Sequence, residues 1–161
     1  MEPEPPVVDV GEVVAVIRLI HAAIIYVGPM AVIGFDHVVL VAADLDVTLD
    51  WYRRVLGAQV RDLDGFRAGR AEYPVLHFGA WKINVHPAGS DLRPRATTAL
   101  PGTLDICLAW DTDVDAAKRH LEEHGQVVEF GPVAQEGARG VGRSVYTRDP
   151  DGNLVELICY P

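Results

Sequence analysis

Arg148-Asp149-Pro150-Asp151-Gly152-Asn153-Leu154-Val155-Glu156-Leu157-Ile158 is the stretch on which the fold turns. Asp-Pro-Asp-Gly is a strong turn signal, because Pro150 presets its own φ and Gly152 accepts φ > 0 without steric cost. A short apolar strand follows. Glu156 interrupts it, between Val155 and Leu157. A carboxylate in so apolar a strand is costly to bury unless a metal ion, a positive side chain or water pairs with it.

Just upstream, Ser144–Arg148 reads as the partner strand of a final hairpin, after a Gly-rich loop over 134–142. Further back, Leu104–Trp110 is a strand. A helix capped by Asp111 or Asp113 places Val114, Ala117 and Leu121 on one face and closes at Gly125. Val127–Phe130 is a short strand before Gly131-Pro132.

The same plan occurs earlier in the chain. Phe35-Asp36-His37-Val38-Val39-Leu40-Val41 is a buried strand by its pattern. A helix capped by Asp44 or Asp46 carries Leu45, Leu49, Tyr52 and Leu56 on one face, with Gly57 at its C-terminal stop. Strand-like pieces at Ala58–Leu63, Val75–Phe78 and Trp81–Val85 follow. His37 to Asp105 and Gly57 to Gly125 are both 68 residues, so a strand–helix–strands unit is duplicated. The stretch 89–102, rich in Pro and Gly, links the halves.

Composition narrows the function. An apolar fraction of 49% predicts a packed core, and a net charge of −9 disfavours nucleic acid and anionic membranes as partners. Cys107 and Cys159 each lie in an apolar run and read as buried free thiols. With no cysteine framework, the expected compartment is the cytoplasm. Residues 1–32 begin acidic and Pro-rich, then turn apolar. Arg18, His21 and Gly28-Pro29 interrupt the apolar part, so it reads as an appendage, or an upstream extension of a start at Met30, rather than a membrane span.

Each half opens with a strand bearing a polar residue, His37 or Asp105, and ends with a strand bearing another, His86 or Glu156. Those intervals are 49 and 51 residues, an even difference compatible with one pleat face. If the units close into one curved sheet, the four converge on its concave side. Two imidazoles with one or two carboxylates suit Zn²⁺, Fe²⁺, Mn²⁺, Co²⁺ or Ni²⁺ and leave positions open for substrate. His21, His77, His120 and His124 receive no role, the last two lying on a solvated helix face.

These residues resemble the vicinal oxygen chelate superfamily, which includes glyoxalase I, bleomycin- and fosfomycin-resistance proteins and extradiol dioxygenases. The likeness rests on Phe35–Val41, Trp51–Gly57 and Asp149–Leu157, and covers residues 34–160. Lys82–His86 and Gly102–Leu108 also resemble the virulence-associated branch of glyoxalase-domain proteins. The resemblance implies an α+β fold of two βαβββ modules, about 34–88 and 103–160, forming a cupped mixed sheet with helices outside. It also implies a divalent metal, a small-molecule substrate and often a homodimer. On this reading the metal ligands are His37, His86 and Glu156, and Glu156 also moves a proton. Asp105 is a fourth or supporting group, and Ser144 and Tyr146 are substrate contacts. Glyoxalase I has Glu where this chain has His86, and His where it has Asp105. A metal-dependent lyase- or dioxygenase-type enzyme is therefore expected, with a metal-free ligand-binding dimer, as in bleomycin resistance, as the alternative.

Overall fold

Each half of the repeat builds its own four-stranded mixed sheet. The computed structural model describes residues 32–161, so the appendage read for residues 1–32 lies, Val32 aside, outside the described residues. The first half contains β1 (His37–Ala42), α1 (Leu45–Leu56), β2 (Gln59–Arg61), α2 (Leu63–Arg67), β3 (Val75–Phe78) and β4 (Trp81–Pro87). The second contains β5 (Asp105–Trp110), α3 (Val114–Glu123), β6 (Phe130–Gly137), β7 (Gly140–Arg148) and β8 (Leu154–Cys159). Sheet order is β1-β4-β3-β2 and β5-β8-β7-β6, with the first and last strands of each half paired in parallel. The α+β class and the duplicated unit are thus both observed.

The helix signals settle onto particular residues. Asp44 accepts the Val47 amide at 3.1 Å and Asp113 the Ala116 amide at 2.7 Å, so these two of the candidate aspartates are the caps. Gly57 takes φ 69° at the end of α1, and its amide donates to the Tyr52 carbonyl. Three readings change. Val127–Glu129 lie outside any strand, and Gly131-Pro132, read as a strand's end, lie inside β6. Ala58–Leu63 is a three-residue strand followed by the start of α2, not one strand. Residues 134–142 are not one loop: β6 and β7 run through them as a hairpin turning at Ala138-Arg139, with Gly140 opening β7 at φ 104°. Their glycines serve close packing, because a Cβ on Gly142 would collide with the Cys159 carbonyl and the Ile158 side chain.

One apolar core joins the helix-bearing faces of both sheets. Leu40, Tyr52, Val55 and Val85 from the first half meet Leu121, Val145, Val155 and Leu157 from the second. Polar bonds fasten the halves. Trp51 Nε1 donates to Gln126 Oε1 at 2.8 Å, and His120 Nε2 donates to the Val55 carbonyl at 2.7 Å. His120 is therefore a half-buried tie, not part of a solvated face. Both cysteines are free; Cys159 is buried as expected, but Cys107 is exposed on β5. No helix among the described residues is long and apolar enough to cross a membrane.

The Asp149–Asn153 turn is the densest of these fastenings. Asp149 Oδ1 accepts the Asp151 and Asn153 amides, and Oδ2 accepts the Asn153 side-chain amide at 2.8 Å and the Tyr52 hydroxyl at 3.1 Å. Asp151 reaches back to the first half, accepting from the Ala43 amide and from Thr48 Oγ1. Asn153 accepts the Leu104 amide. Burial, then the Asp149 carboxylate, raises the Tyr52 pKa far above the ordinary phenol value, so Tyr52 stays a donor. The strand carrying Glu156 thus leaves a turn anchored from both halves.

Candidate functional site

With the helices on one side, each sheet presents its other face to possible ligands, and strand register says which residues share it. Paired residues in a sheet point the same way. On the first sheet Gln59, His77, Lys82 and His37 form one row across four strands. The next row is Arg61, Val75, Asn84 and Val39, and His86 pairs with Val41 beyond it. On the second sheet Arg148, Leu154 and Asp105 form the row that matches His37. Phe130, Tyr146, Glu156 and Cys107 form the next, and Ser144, Ile158 and Ala109 the one after.

The two halves therefore correspond differently from the even spacing of the sequence. The third residue of β1 pairs with Asn84, and the third residue of β5 pairs with Glu156. The counterpart of Glu156 is Asn84, while that of His86 is Ile158. His37 and His86 share a face but stand four register positions apart, roughly 13 Å along the strands at ~3.3 Å per residue. Imidazoles standing perpendicular to the sheet do not meet across that gap. Counting across loops of unequal length hid this, and it hid Asn84, whose place between two apolar strand residues was the available signal.

Several of these groups lack partners. Asn84 is 3% exposed, its amide nitrogen facing Tyr73 Oη at 3.5 Å and its Oδ1 buried with no hydrogen bond. Glu156 Oε1, His86 Nε2 and Ser144 Oγ are likewise buried and unpartnered. Buried polar atoms of this kind are rare and call for a ligand or a functional explanation. Ser144 is wholly buried, beneath the surface that Tyr146 reaches. His37 Nδ1 lies 2.6 Å from Asp36 Oδ1. Donation to that carboxylate, which the contact holds below its ordinary pKa, leaves Nε2 as the free lone pair.

Around Glu156 the electrostatics favour protonated neighbours. Partial burial of the thiol in an otherwise exposed residue, followed by the Glu156 carboxylate, pushes Cys107 up to about 12, and the same causes raise Tyr146 above the usual phenol value. Both remain neutral near pH 7 beside a carboxylate that has one oxygen free. His86 sits apart. Burial lowers its pKa, partly opposed by Glu72, and the Tyr73 ring packs on it with centroids 4.7 Å apart.

Among the described residues of one chain, no three His, Cys, Asp or Glu side chains converge closely enough to hold a metal. The residues predicted for the centre lie on two different sheets, His37 and His86 on the first, Asp105, Ser144, Tyr146 and Glu156 on the second. The donor set itself suits a cation, because Glu156 Oε1 and Asn84 Oδ1 are orphaned and His37 Nε2 is free.

Known proteins share this architecture. The chain is 43% identical over 131 residues to the glyoxalase domain-containing protein RDO1 of Mycosarcoma maydis, covering 81% of this chain and 70% of that protein. It is 35% identical over 131 residues to virulence protein STM3117 of Salmonella typhimurium, covering 81% and 87%. An integron cassette protein of V. cholerae superposes with a TM-score of 0.75 at 36% identity, covering 83% of this chain and all of that one. The family model described as Glyoxalase/Bleomycin resistance protein/Dioxygenase superfamily matches residues 34–157. The duplicated unit, its parallel first-and-last strand pairing and these matches place the chain in the glyoxalase, bleomycin resistance and dioxygenase superfamily.

Proposed function

We propose that the chain is a divalent-metal-dependent enzyme acting on a small substrate with adjacent oxygens, and that pairing of two copies completes its site. The observation that carries this reading is the pair of orphaned buried oxygens, Asn84 Oδ1 and Glu156 Oε1, at corresponding positions of the two sheets. His37 Nε2, Asp105 and Glu156 would hold the ion, with Asn84 at the fourth corner. His86, expected as a ligand, is reassigned because of its distance along β4. One imidazole with oxygen donors favours Mn²⁺ or Fe²⁺ over a thiol- or imidazole-rich zinc site.

A second copy supplies what one chain lacks. The first sheet offers His37, Lys82 and His77 in one row, the second offers Asp105 and Glu156 in adjacent rows. Lys82 on the first face and the carboxylates on the second carry opposite charge. Phe130 is an exposed apolar residue on the second sheet's open face, suited to burial against a partner. Homodimerisation with the first sheet of one copy facing the second sheet of the other satisfies both.

When bound, a metal of this kind polarises substrate oxygens and stabilises negative charge developing on them. The chain's own residues do the rest. Glu156, with one free oxygen in a half-buried setting, accepts or returns a proton. Tyr146, kept neutral, donates a hydrogen bond from the neighbouring strand. Asp36 fixes the imidazole of His37 in one orientation. The chemistry this supports is lyase-type or dioxygenase-type.

Metal-free ligand binding is the second reading, favoured by the absence of a three-ligand group among the described residues of one chain. Metal content by mass spectrometry on untagged protein, with sedimentation and with His37→Ala and Glu156→Ala variants, separates the two. One equivalent of metal per chain in a dimer, lost in both variants, supports the enzyme. A parent that stays metal-free after reconstitution with Mn²⁺, Fe²⁺, Ni²⁺ and Zn²⁺ moves the function to binding alone.

A further inference from the structure

A cavity of about 310 Å³ opens over the end of the first sheet, where the linker crosses it. Val39, Val41 and His86 line it from the strands, Arg95 and Leu100 from the linker, and Leu104 from just before β5. Its size lies at the small end of natural ligand pockets. Three observations on its walls bear on what it holds. His86 Nε2 is buried without a hydrogen-bond partner, although Tyr73 holds the ring in place. Val39 and Leu100 are 42% and 57% exposed, yet both line this one hollow. Arg95 gives one N–H to the Ser90 carbonyl at 2.9 Å and forms no ion pair among the described residues.

Each points to a part of one ligand. A buried imidazole nitrogen needs a polar group of the ligand to recover what it lost on leaving water. Exposed aliphatic side chains facing a common space gain from covering by an apolar body. A guanidinium at the rim, in a chain of net charge −9, is suited to a carboxylate.

We propose that this cavity seats a small, mainly apolar organic acid of about the size of a hydroxybenzoate. Its carboxylate meets Arg95, its apolar body lies on Val39, Val41 and Leu100, and a second oxygen hydrogen-bonds His86 Nε2. His86 is two paired positions beyond Asn84 on β4, one row along the same face, so such a ligand would extend toward the row that holds Asn84. The proposal rests on the preceding reading only in placing the reacting oxygens at that neighbouring centre; the binding itself needs no metal.

The test is titration calorimetry on the full chain treated with chelator, using the three hydroxybenzoates, benzoate and the matching hydroxybenzamides. The expected result is that the best hydroxybenzoate binds about tenfold more tightly than its amide, and more tightly than benzoate, as a charged hydrogen bond predicts. Arg95→Gln should bring acid and amide to within about twofold while leaving the preference for the hydroxyl. His86→Leu, with His86→Asn as a milder variant should leucine disturb folding, should abolish the hydroxyl preference while leaving that for the acid. Equal binding of acid and amide by the parent, preferences that survive both substitutions, or no binding of any probe at millimolar concentration would overturn the proposal. Because the protein is metal-free throughout, the outcome is independent of the metal measurement: a pocket with no metal site, or a metal site with no pocket, would each be seen.

Discussion

Replacing Tyr52 by Phe removes a single hydroxyl and leaves the packing of α1 unchanged. Tyr52 is fully buried, and its hydroxyl donates to Asp149 Oδ2 at 3.1 Å. A hydrogen bond to a charged group contributes about 1.5–3 kcal/mol. Here the carboxylate keeps three other donors, two backbone amides and the Asn153 side chain. The expected loss is therefore at the lower end, about 1.5–2 kcal/mol. Asp149→Ala is a different perturbation, because it strands all four donors in a buried region at once. Its cost should be about 3–5 kcal/mol, comparable to breaking a buried charged network. In a double-mutant cycle the pair should be strongly non-additive, since Tyr52→Phe removes nothing further once Asp149 is gone. Urea denaturation followed by fluorescence and circular dichroism supplies all four corners of the cycle. A Tyr52→Phe loss below ~0.5 kcal/mol, or additive losses in the double variant, would refute the view that this contact fastens the turn to the first helix.

Three further outcomes follow from other parts of the molecule. Cys107, exposed on β5 but with its thiol pKa raised to about 12, should alkylate with iodoacetamide at pH 8 far more slowly than free cysteine, and Glu156→Gln should speed it by removing the neighbouring negative charge; a rate equal to free cysteine contradicts the placement of that carboxylate. Gly131→Ala should abolish soluble folded protein, because Gly131 takes φ 98° and an added Cβ would overlap the Ser144 carbonyl, as expression yield and circular dichroism would report. Asp44→Ala should cost about 1 kcal/mol in denaturant titration through loss of the α1 cap, with little change in the spectrum of the folded state.

Much of the architecture was legible because local chemistry and global fold agree. The face of Leu45, Leu49 and Tyr52, the stop at Gly57 and the Asp-Pro-Asp-Gly turn are each decided within a few residues. The stretch 134–142 misled because glycine has two uses. At Gly140 it takes a positive φ where β7 leaves the turn, but at Gly142 it lets a strand approach β8, a demand set by residues far along the chain. The site was legible only in part for a related reason. Alternation shows which residues share a face but not how far along a neighbouring strand they fall. Register decides that, and the loops between β1 and β4 differ in length from those between β5 and β8. His86 therefore appeared beside His37, and Asn84 was passed over.

The matched rows of the two sheets have a bearing on how such a protein changes over time. A duplicated unit offers the same two positions twice, and each copy is held by its own helix and its own strand pairing. One position can be rewritten without disturbing its twin. Asparagine at position 84 and glutamate at position 156 illustrate this: the two halves occupy equivalent places with different charge. A lineage that exchanged a single carboxamide for a carboxylate there would alter the charge of the proposed centre by one unit and leave the scaffold intact. New reactions can then arise from an old frame by small steps on one side at a time.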